Sequence, residues 1–258
     1  MTWNLELFPK NGIATVTYLE NAVKQLQPDI IAMQEVRSET SLQTLANQLT
    51  NYSYVKAEGG GDWGLAYLYN TSRVTLFTAP YEIYTSNSRP FPRPPFVMEA
   101  RWNGQKVVII NNHLKAGGDG YLDTGDSYDE EMRRKEALTL LDDYIDEHFN
   151  DDRVVIVGDM NDELTDSEQN NVFIDLINDR QSYAFTDMAI AEGNSLYWSY
   201  PSWPSQIDHI LITNELFTEH FETKTVLYDT YLDGRWTEYE EYISDHRPVA
   251  VTLIIGGE

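Results

Sequence analysis

The sequence predicts an α/β fold whose strands are buried on both faces. Three runs carry that prediction: Ile30-Ile31-Ala32-Met33, Val107-Val108-Ile109-Ile110 and Val154-Val155-Ile156-Val157 are continuously apolar and rich in β-branched residues. A strand with one wet face would alternate instead. Segments 15–27 and 127–149 place apolar residues three and four apart, as helices that cover a sheet do. Each buried run also stops on polar side chains, namely Gln34-Glu35, Asn111-Asn112-His113 and Gly158-Asp159-Met160-Asn161. In the last of these, Gly158 permits a sharp turn, so Asp159 and Asn161 can both point past the strand's carboxyl edge. Taken alone, that segment reads equally well as a capped turn, because Asp and Asn favour turns without any functional reason.

Composition bounds the function before any motif does. A chain of 258 residues can hold one large core, and with no compositional seam it is expected to form one domain over 1–258. The 41% of hydrophobic residues excludes disorder, and they are too dispersed for a membrane span. Lys and Arg number 18 against 42 Asp and Glu, a net charge of −24, so the average surface repels polyanions and lipid head groups. Nucleic acid must therefore be held locally and with the help of cations. The absence of cysteine excludes disulfides, a thiolate nucleophile and cysteine zinc sites. The expected protein is a monomer that does not engage membranes, secreted or extracellular after loss of a signal peptide.

In chain order, Thr2-Trp3-Asn4-Leu5 reads as the end of a short first strand with Asn4 at its tip. The helix over 15–27 carries Val16, Leu19, Val23 and Leu26 on one face and ends at Pro28. After the Ile30 strand, Leu42, Leu45, Ala46 and Leu49 predict a second helix, Glu58-Gly59-Gly60-Gly61-Asp62 a loop, and 64–69 with 74–78 a hairpin. Ser88-Arg89-Pro90-Phe91-Pro92-Arg93-Pro94-Pro95 is a stiff segment bearing two arginines. Segments 96–102 and 106–110 form a hairpin turning at Asn103-Gly104. The loop 117–126 is acidic and glycine-rich; without helix-loop-helix calcium spacing it reads by default as solvated. Ser127-Tyr128-Asp129-Glu130 reads as a capping box for the long helix, and Thr165-Asp166-Ser167-Glu168 as the start of another. Strands are expected near 195–200, 207–213, 221–228 and 249–254.

The strand-end polar residues are Asn4, Glu35, His113, Asp159, Asn161, Asp208, Asp245 and His246. Carboxylates and amide oxygens without cysteine describe a site for a hard cation, Mg²⁺ or Mn²⁺ rather than zinc. Six stretches then carry a resemblance: Trp3-Asn4, Gln34-Glu35, Asn111-Asn112-His113-Leu114, Gly158-Asp159-Met160-Asn161, Ile207-Asp208-His209 and Ser244-Asp245-His246-Arg247-Pro248. Each is weak alone, but in this order they resemble the motif set of the endonuclease/exonuclease/phosphatase superfamily. The resemblance implies a four-layer, deoxyribonuclease-like α/β (α+β) sandwich, two packed mixed β-sheets flanked by helices, with the site at one end. It also implies metal-dependent phosphoester hydrolysis. Glu35 would be the principal Mg²⁺ ligand with Asn4 beside it, and Asp245 would help hold the ion, with Mn²⁺ as a substitute and structural Ca²⁺ an added option in the acidic loops. Asp159 would activate the attacking water that Asn161 positions, Asp208 would orient His246, and His113 with His246 would bind phosphate oxygens.

Arg93-Pro94-Pro95 and His113-Leu114-Lys115-Ala116 look most similar to pancreatic-type deoxyribonucleases and bacterial extracellular nucleases. That similarity implies substrate contacts from Arg93 and Lys115, with DNA as the first candidate substrate and RNA beside it. Trp203 either stacks on a base or sugar or packs into the core. Two departures stand out. The glutamate that would orient His113 is missing from Trp63-Gly64-Leu65-Ala66, and Gln206 replaces a basic residue before Ile207-Asp208. Two other readings stay open, a phosphatase or phosphodiesterase for a small or lipid phosphate (inositol phosphate or sphingomyelin type), and a binding module without activity.

Overall fold

The buried runs form the centres of two sheets packed face to face, in a computed structural model that describes residues 1–256. Strand β1 (Thr2–Phe8), helix α1 (Ile13–Leu26) and strand β2 (Ile30–Val36) form a parallel crossover with Trp3 opposite Met33. Pro28 stops α1, and Gln27 closes it in a left-handed conformation. Helix α2 (Glu39–Gln48), capped by the Ser38 side chain, is followed by β3 (Tyr52–Lys56) and β4 (Ala66–Asn70). Next come β5 (Val74–Leu76), β6 (Tyr81–Glu82), β7 (Phe96–Trp102), β8 (Gln105–His113), helix α3 (Glu130–His148) and β9 (Val154–Asp159). The last third holds α4 (Ile174–Asn178), β10 (Tyr183–Phe185), α5 (Met188–Ala191), β11 (Asp208–Thr213), β12 (His220–Thr225), α6 (Arg235–Tyr242) and β13 (Val249–Leu253).

One sheet runs β12-β13-β1-β2-β4-β3; the other runs β10-β11-β9-β8-β7-β5, with β6 beside β7. Side-chain alternation on β9 explains why its run is continuously apolar. Val155 and Val157 join Ala32 and Tyr67 between the sheets, while Val154 and Ile156 pack with Leu138, Leu141 and Ile145 of α3. On the first sheet, Trp3, Ile31 and Met33 meet Val16 and Leu19 of α1. The layers are therefore helix, sheet, sheet, helix, and central strands have no wet face. Polar pins join the sheets near the site: Gln34 Nε2 donates to Asn111 Oδ1 (2.7 Å), and the Tyr67 hydroxyl lies 2.7 and 2.8 Å from the Phe96 and Ile109 carbonyls.

Several local expectations are corrected. Segments 64–69 and 74–78 do not pair, because β4 stays in the first sheet beside β2 and β3 while β5 crosses to β7 in the second. The α3 cap is Asp129, whose Oδ1 accepts from Met132 N (2.8 Å), two residues after Ser127. Residues 165–171 form turns, and the helix there starts only at Ile174, after Asn171 Oδ1 has taken Phe173 N (2.8 Å). Segment 195–200 is a 3₁₀ turn, Ser195–Tyr197, followed by a tight loop closed by pairing of Tyr200 with Ser205. The hairpin at Asn103-Gly104 is present, with positive φ at both residues.

Gly158 is needed inside β9 rather than at a turn, since it is still paired with Asn112 on one side and His209 on the other. Its φ is 148°, and a Cβ there would lie 1.9 Å from the Asn112 carbonyl oxygen on β8. Gly158→Ala is expected to cost about 3 kcal/mol, since the clash is with backbone that cannot rotate away. Urea denaturation checks this, and an unchanged midpoint would contradict it.

Candidate active site

Sheet register assembles the site. His113 ends β8 opposite Asp159 at the end of β9, and Asp208 at the start of β11 faces Asp159 from the other side. The first sheet contributes Asn4 and Glu35 from the paired strands β1 and β2, and the loop before β13 contributes Asp245 and His246. Asp159 is the hub. Its Oδ2 accepts from Asn4 Nδ2 (2.8 Å) and lies 3.5 Å from His113 Nε2 and 3.8 Å from His246 Nε2. Its Oδ1 accepts from Asn161 N (3.1 Å), and Asn161 Nδ2 donates to Leu114 O (3.3 Å). Glu6, Leu7, Glu35 and Asn161 all hold positive φ, an uncommon backbone state for such residues that gathers at this end of the sandwich.

The two histidines are in opposite electrostatic states. Burial alone would lower the His246 pKa, but Asp208, then Asp159 and Asp245, raise it to about 10. Its Nδ1 lies 2.7 Å from Asp208 Oδ2, so the imidazolium donates to that carboxylate. The backbone around it is fixed as well: His246 N donates to Ser244 Oγ (3.0 Å), its carbonyl accepts from Tyr239 (2.7 Å), and the Tyr200 ring centroid lies 4.7 Å from its own. His113 goes the other way, held well below the usual histidine range by burial and by Arg93 and His246. Its approach to Asp159 is therefore not an ion pair. As the missing glutamate predicts, His113 Nδ1 is buried without a hydrogen-bond partner among the described residues.

Negative charge is in surplus here. Burial, with Asp208 and Glu35 nearby, pushes the Asp159 carboxyl up to about 7 against the opposing His246 and Asn4. Asp208 Oδ1 is buried with no partner among the described residues. Asp159, Asp208 and His246 bring ligand atoms within 4.8 Å of one another, a grouping consistent with a divalent-metal site. Glu35 lies at its edge, Oε1 accepting from Asn4 Nδ2 (3.3 Å) and Oε2 from Leu7 N (3.1 Å). Asp245 Oδ1 is 4.0 Å from His246 Nε2. These hard oxygen donors in a buried, over-negative setting fit Mg²⁺ or Mn²⁺. Asn4 turns its NH₂ towards the carboxylates and its Oδ1 to Glu6 N (3.0 Å), so as a ligand it would present the other side of its amide.

The sequence pattern of the Endonuclease/Exonuclease/phosphatase family matches residues 1–246. The chain belongs to this family. No curated protein matches the sequence significantly. Among solved structures, D. rerio TDP2 complexed with a single-strand DNA product is similar with a TM-score of 0.74 at 16% identity, over 97% of this chain and 96% of that one. A Bacteroides vulgatus endonuclease/exonuclease/phosphatase gives 0.66 at 14%, over 98% and 96%. The Bacteroides thetaiotaomicron mannosyl-6-phosphatase Bt3783 gives 0.61 at 16%, over 98% and 99%. At these identities the likeness shows a shared fold. With the family and the buried Asp/Asp/His group, the chain is a metal-dependent phosphoesterase.

The family's ordered motifs converge at one end of the sandwich, and the expected substrate residues flank them unevenly. Arg93 is half-buried, donates to Leu114 O (3.0 Å) and lies 6.0 Å from the Trp63 ring centroid; burial lowers its pKa while Asp159 and Glu35 oppose. Lys115 is engaged by Glu130 (3.3 Å) and by its neighbour's carbonyl. Trp203 is 77% exposed, which rules out the core-packing alternative. Sequence reasoning missed Glu6, whose Oε2 accepts from Asp245 N (2.9 Å) and pairs with Lys10; the Asn4-x-Glu6 spacing was its only signal. It also missed Ser199, whose Oγ accepts from Asp208 N (3.2 Å), and Tyr200. Gln206 is buried and internal, donating to Asp208 O (2.7 Å).

Asp208→Asn removes the largest influence raising His246. With divalent ions chelated, NMR titration of the His246 ring is expected to show its pKa falling from about 10 by at least one unit, each unit being about 1.4 kcal/mol. The raised value stabilises the metal-free fold fully below the ordinary histidine pKa of about 6.5 and loses that stabilisation as pH climbs towards 10. Asp208→Asn should therefore narrow the stability gap from wild type as pH rises through that window. A titration unchanged by the substitution would contradict the assignment.

Proposed function

We propose that this phosphoesterase is a nuclease that cleaves single-stranded DNA by in-line attack of an activated water, residues 1–258 acting as one domain. The observation that carries this reading is the rim: aromatics are exposed while cations are scarce. Trp203 stands at the tip of the loop whose Tyr200 lies against His246, and half-exposed Trp63 lies beside Arg93. Stacking platforms hold unpaired bases, whereas a duplex offers mainly phosphates to cationic contacts. The single-strand DNA product bound to the similar TDP2 fold supports the same direction.

Glu35, with Asn4 and Asp245, would hold the Mg²⁺ or Mn²⁺, whose charge neutralises the phosphate in the transition state. We favour this set over Asp208 and His246, because the His246 ring, held protonated by Asp208, has no lone pair to give an ion. Asp159, positioned by Asn4, orients the attacking water and takes its proton, with Asn161 fixing the turn beside it. The His246 imidazolium and His113 donate to non-bridging oxygens. Arg93 contacts a flanking phosphate, the role suggested by resemblance to pancreatic-type deoxyribonucleases. Lys115 joins it only on leaving Glu130.

A second reading, phosphatase action on a small phosphate, has one observation in its favour. The net charge of −24 and the pairing of Lys115 with Glu130 leave little cationic surface for a polyanion. The test offers single-stranded oligonucleotide, supercoiled plasmid and mannose 6-phosphate with Mg²⁺ or EDTA. Oligonucleotide cleavage that requires Mg²⁺ is expected, and Glu35→Ala or His246→Ala should lower kcat/KM by about two orders of magnitude or more. Turnover of the monoester alone would overturn the nuclease reading. Trp203→Ala and Arg93→Ala are expected to raise KM for the oligonucleotide several-fold with smaller effects on the monoester, and equal effects on both would remove the rim from substrate binding.

A further inference from the structure

We propose a second divalent-cation site, suited to Ca²⁺, in the loop from β8 to α3 and held by Asp119, Asp129 and Glu131. One carboxylate oxygen from each converges to within 4.8 Å of the others. Acidic groups at a helix start are common, because they complement the helix dipole. What separates this group is Glu131: only 2% exposed, its Oε2 is buried with no hydrogen-bond partner among the described residues. A buried carboxylate oxygen without a donor is costly, and a cation removes that cost.

The surroundings are built to hold such an oxygen without satisfying it. Glu131 Oε1 accepts from Gly120 N (2.8 Å) and pairs with Arg134 (3.1 Å). Arg134 is already committed to Asp162 (2.7 Å) and to the carbonyls of Lys115 (2.8 Å) and Gly117 (2.7 Å). Gly118, at φ 115°, passes so close over the carboxylate that a Cβ would lie 2.2 Å from Oε1 and 2.7 Å from Oε2. Asp129 uses Oδ1 to cap α3, and Asp119 uses Oδ1 to accept from Tyr121 N (3.1 Å), leaving each a second oxygen. One arginine thus serves both Glu131 and Asp162.

The donors are all oxygen, and the glycine-rich loop can add carbonyls and water in a large, irregular shell. That suits Ca²⁺, which takes six to eight such ligands, better than Mg²⁺ with its tight octahedron. The loop leaves the sheet directly after His113, and the Leu114 carbonyl accepts from both Arg93 and Asn161. An ion there would fix the backbone on which those two side chains rest. The site is separate from Glu35 and does not depend on which phosphate ester is cleaved.

The test uses the full chain carrying Glu35→Ala, which weakens cation binding at the active site. Ca²⁺ titration calorimetry and Tb³⁺ luminescence sensitised by the neighbouring Tyr121 and Tyr128 report the loop ion. One Ca²⁺ per chain is expected. Adding Asp119→Asn, an exposed change that circular dichroism should show to be folded, is expected to weaken binding at least tenfold and to abolish Ca²⁺ protection of residues 114–129 from proteolysis. Glu131→Gln should act in the same direction. Absence of Ca²⁺ binding in the Glu35→Ala chain, or equal binding with and without Asp119→Asn, overturns the proposal.

Discussion

The structure depends on keeping a carboxylate, Asp159, buried where the two sheets meet. Its hydrogen bond from Asn4 crosses from one sheet to the other, so the sandwich cannot splay there without exposing the catalytic end. Both neighbouring strands of the second sheet are locked to the same residue by register, one parallel and one antiparallel. A shift of one residue in either would turn His113 or Asp208 to the opposite face. Precision at the site is thus inherited from the ladder.

That inheritance is why so much was legible. Doubly buried runs announce central strands of a layered fold, and such a fold delivers chemistry at strand ends, so Glu35, His113 and Asp159 could be found without knowing how the sheets pack. Asp208 and His246 were legible only as partners of unknown distance, and the 2.7 Å contact supplies what spacing could not. The illegible parts share a cause. Edge strand β3 is half-buried throughout and α6 buries only Tyr239, so neither leaves a periodic apolar signal. The β4–β5 crossing reads as a hairpin because the decisive partner of β5 lies some 25 residues on, at β7. Glu6 was hidden because its role depends on Asp245, 239 positions away.

Charge balance ties the active site to the β8–α3 loop. At both places a buried carboxylate keeps an oxygen with no partner among the described residues, Asp208 Oδ1 in one and Glu131 Oε2 in the other. At both, the local cation reaches only the other oxygen: His246 gives its Nδ1 to Asp208 Oδ2, and Arg134, shared with Asp162 and two loop carbonyls, pairs with Glu131 Oε1. Folding could have neutralised these acids with lysine or arginine at the cost of filling the space an ion would take. With 42 acidic and 18 basic residues, the chain has few cations of its own to pair with either oxygen.

The two histidines show how one buried pocket sustains opposite protonation states. Each is removed from water, and desolvation disfavours the charged ring in both. His246 has a carboxylate at hydrogen-bond distance and two more acids nearby, which together outweigh the desolvation penalty. His113 has no carboxylate at hydrogen-bond distance, only Asp159 at 3.5 Å and Glu35 at 3.9 Å, and no partner among the described residues on its other nitrogen, and it faces two cations, Arg93 and His246. The charged ring therefore stands opposite the neutral one across Asp159. On the proposed reading, a phosphate entering between them would meet one strong donor and one that does not add to the repulsion between cations, while Asp159 keeps its second oxygen on the Asn161 turn.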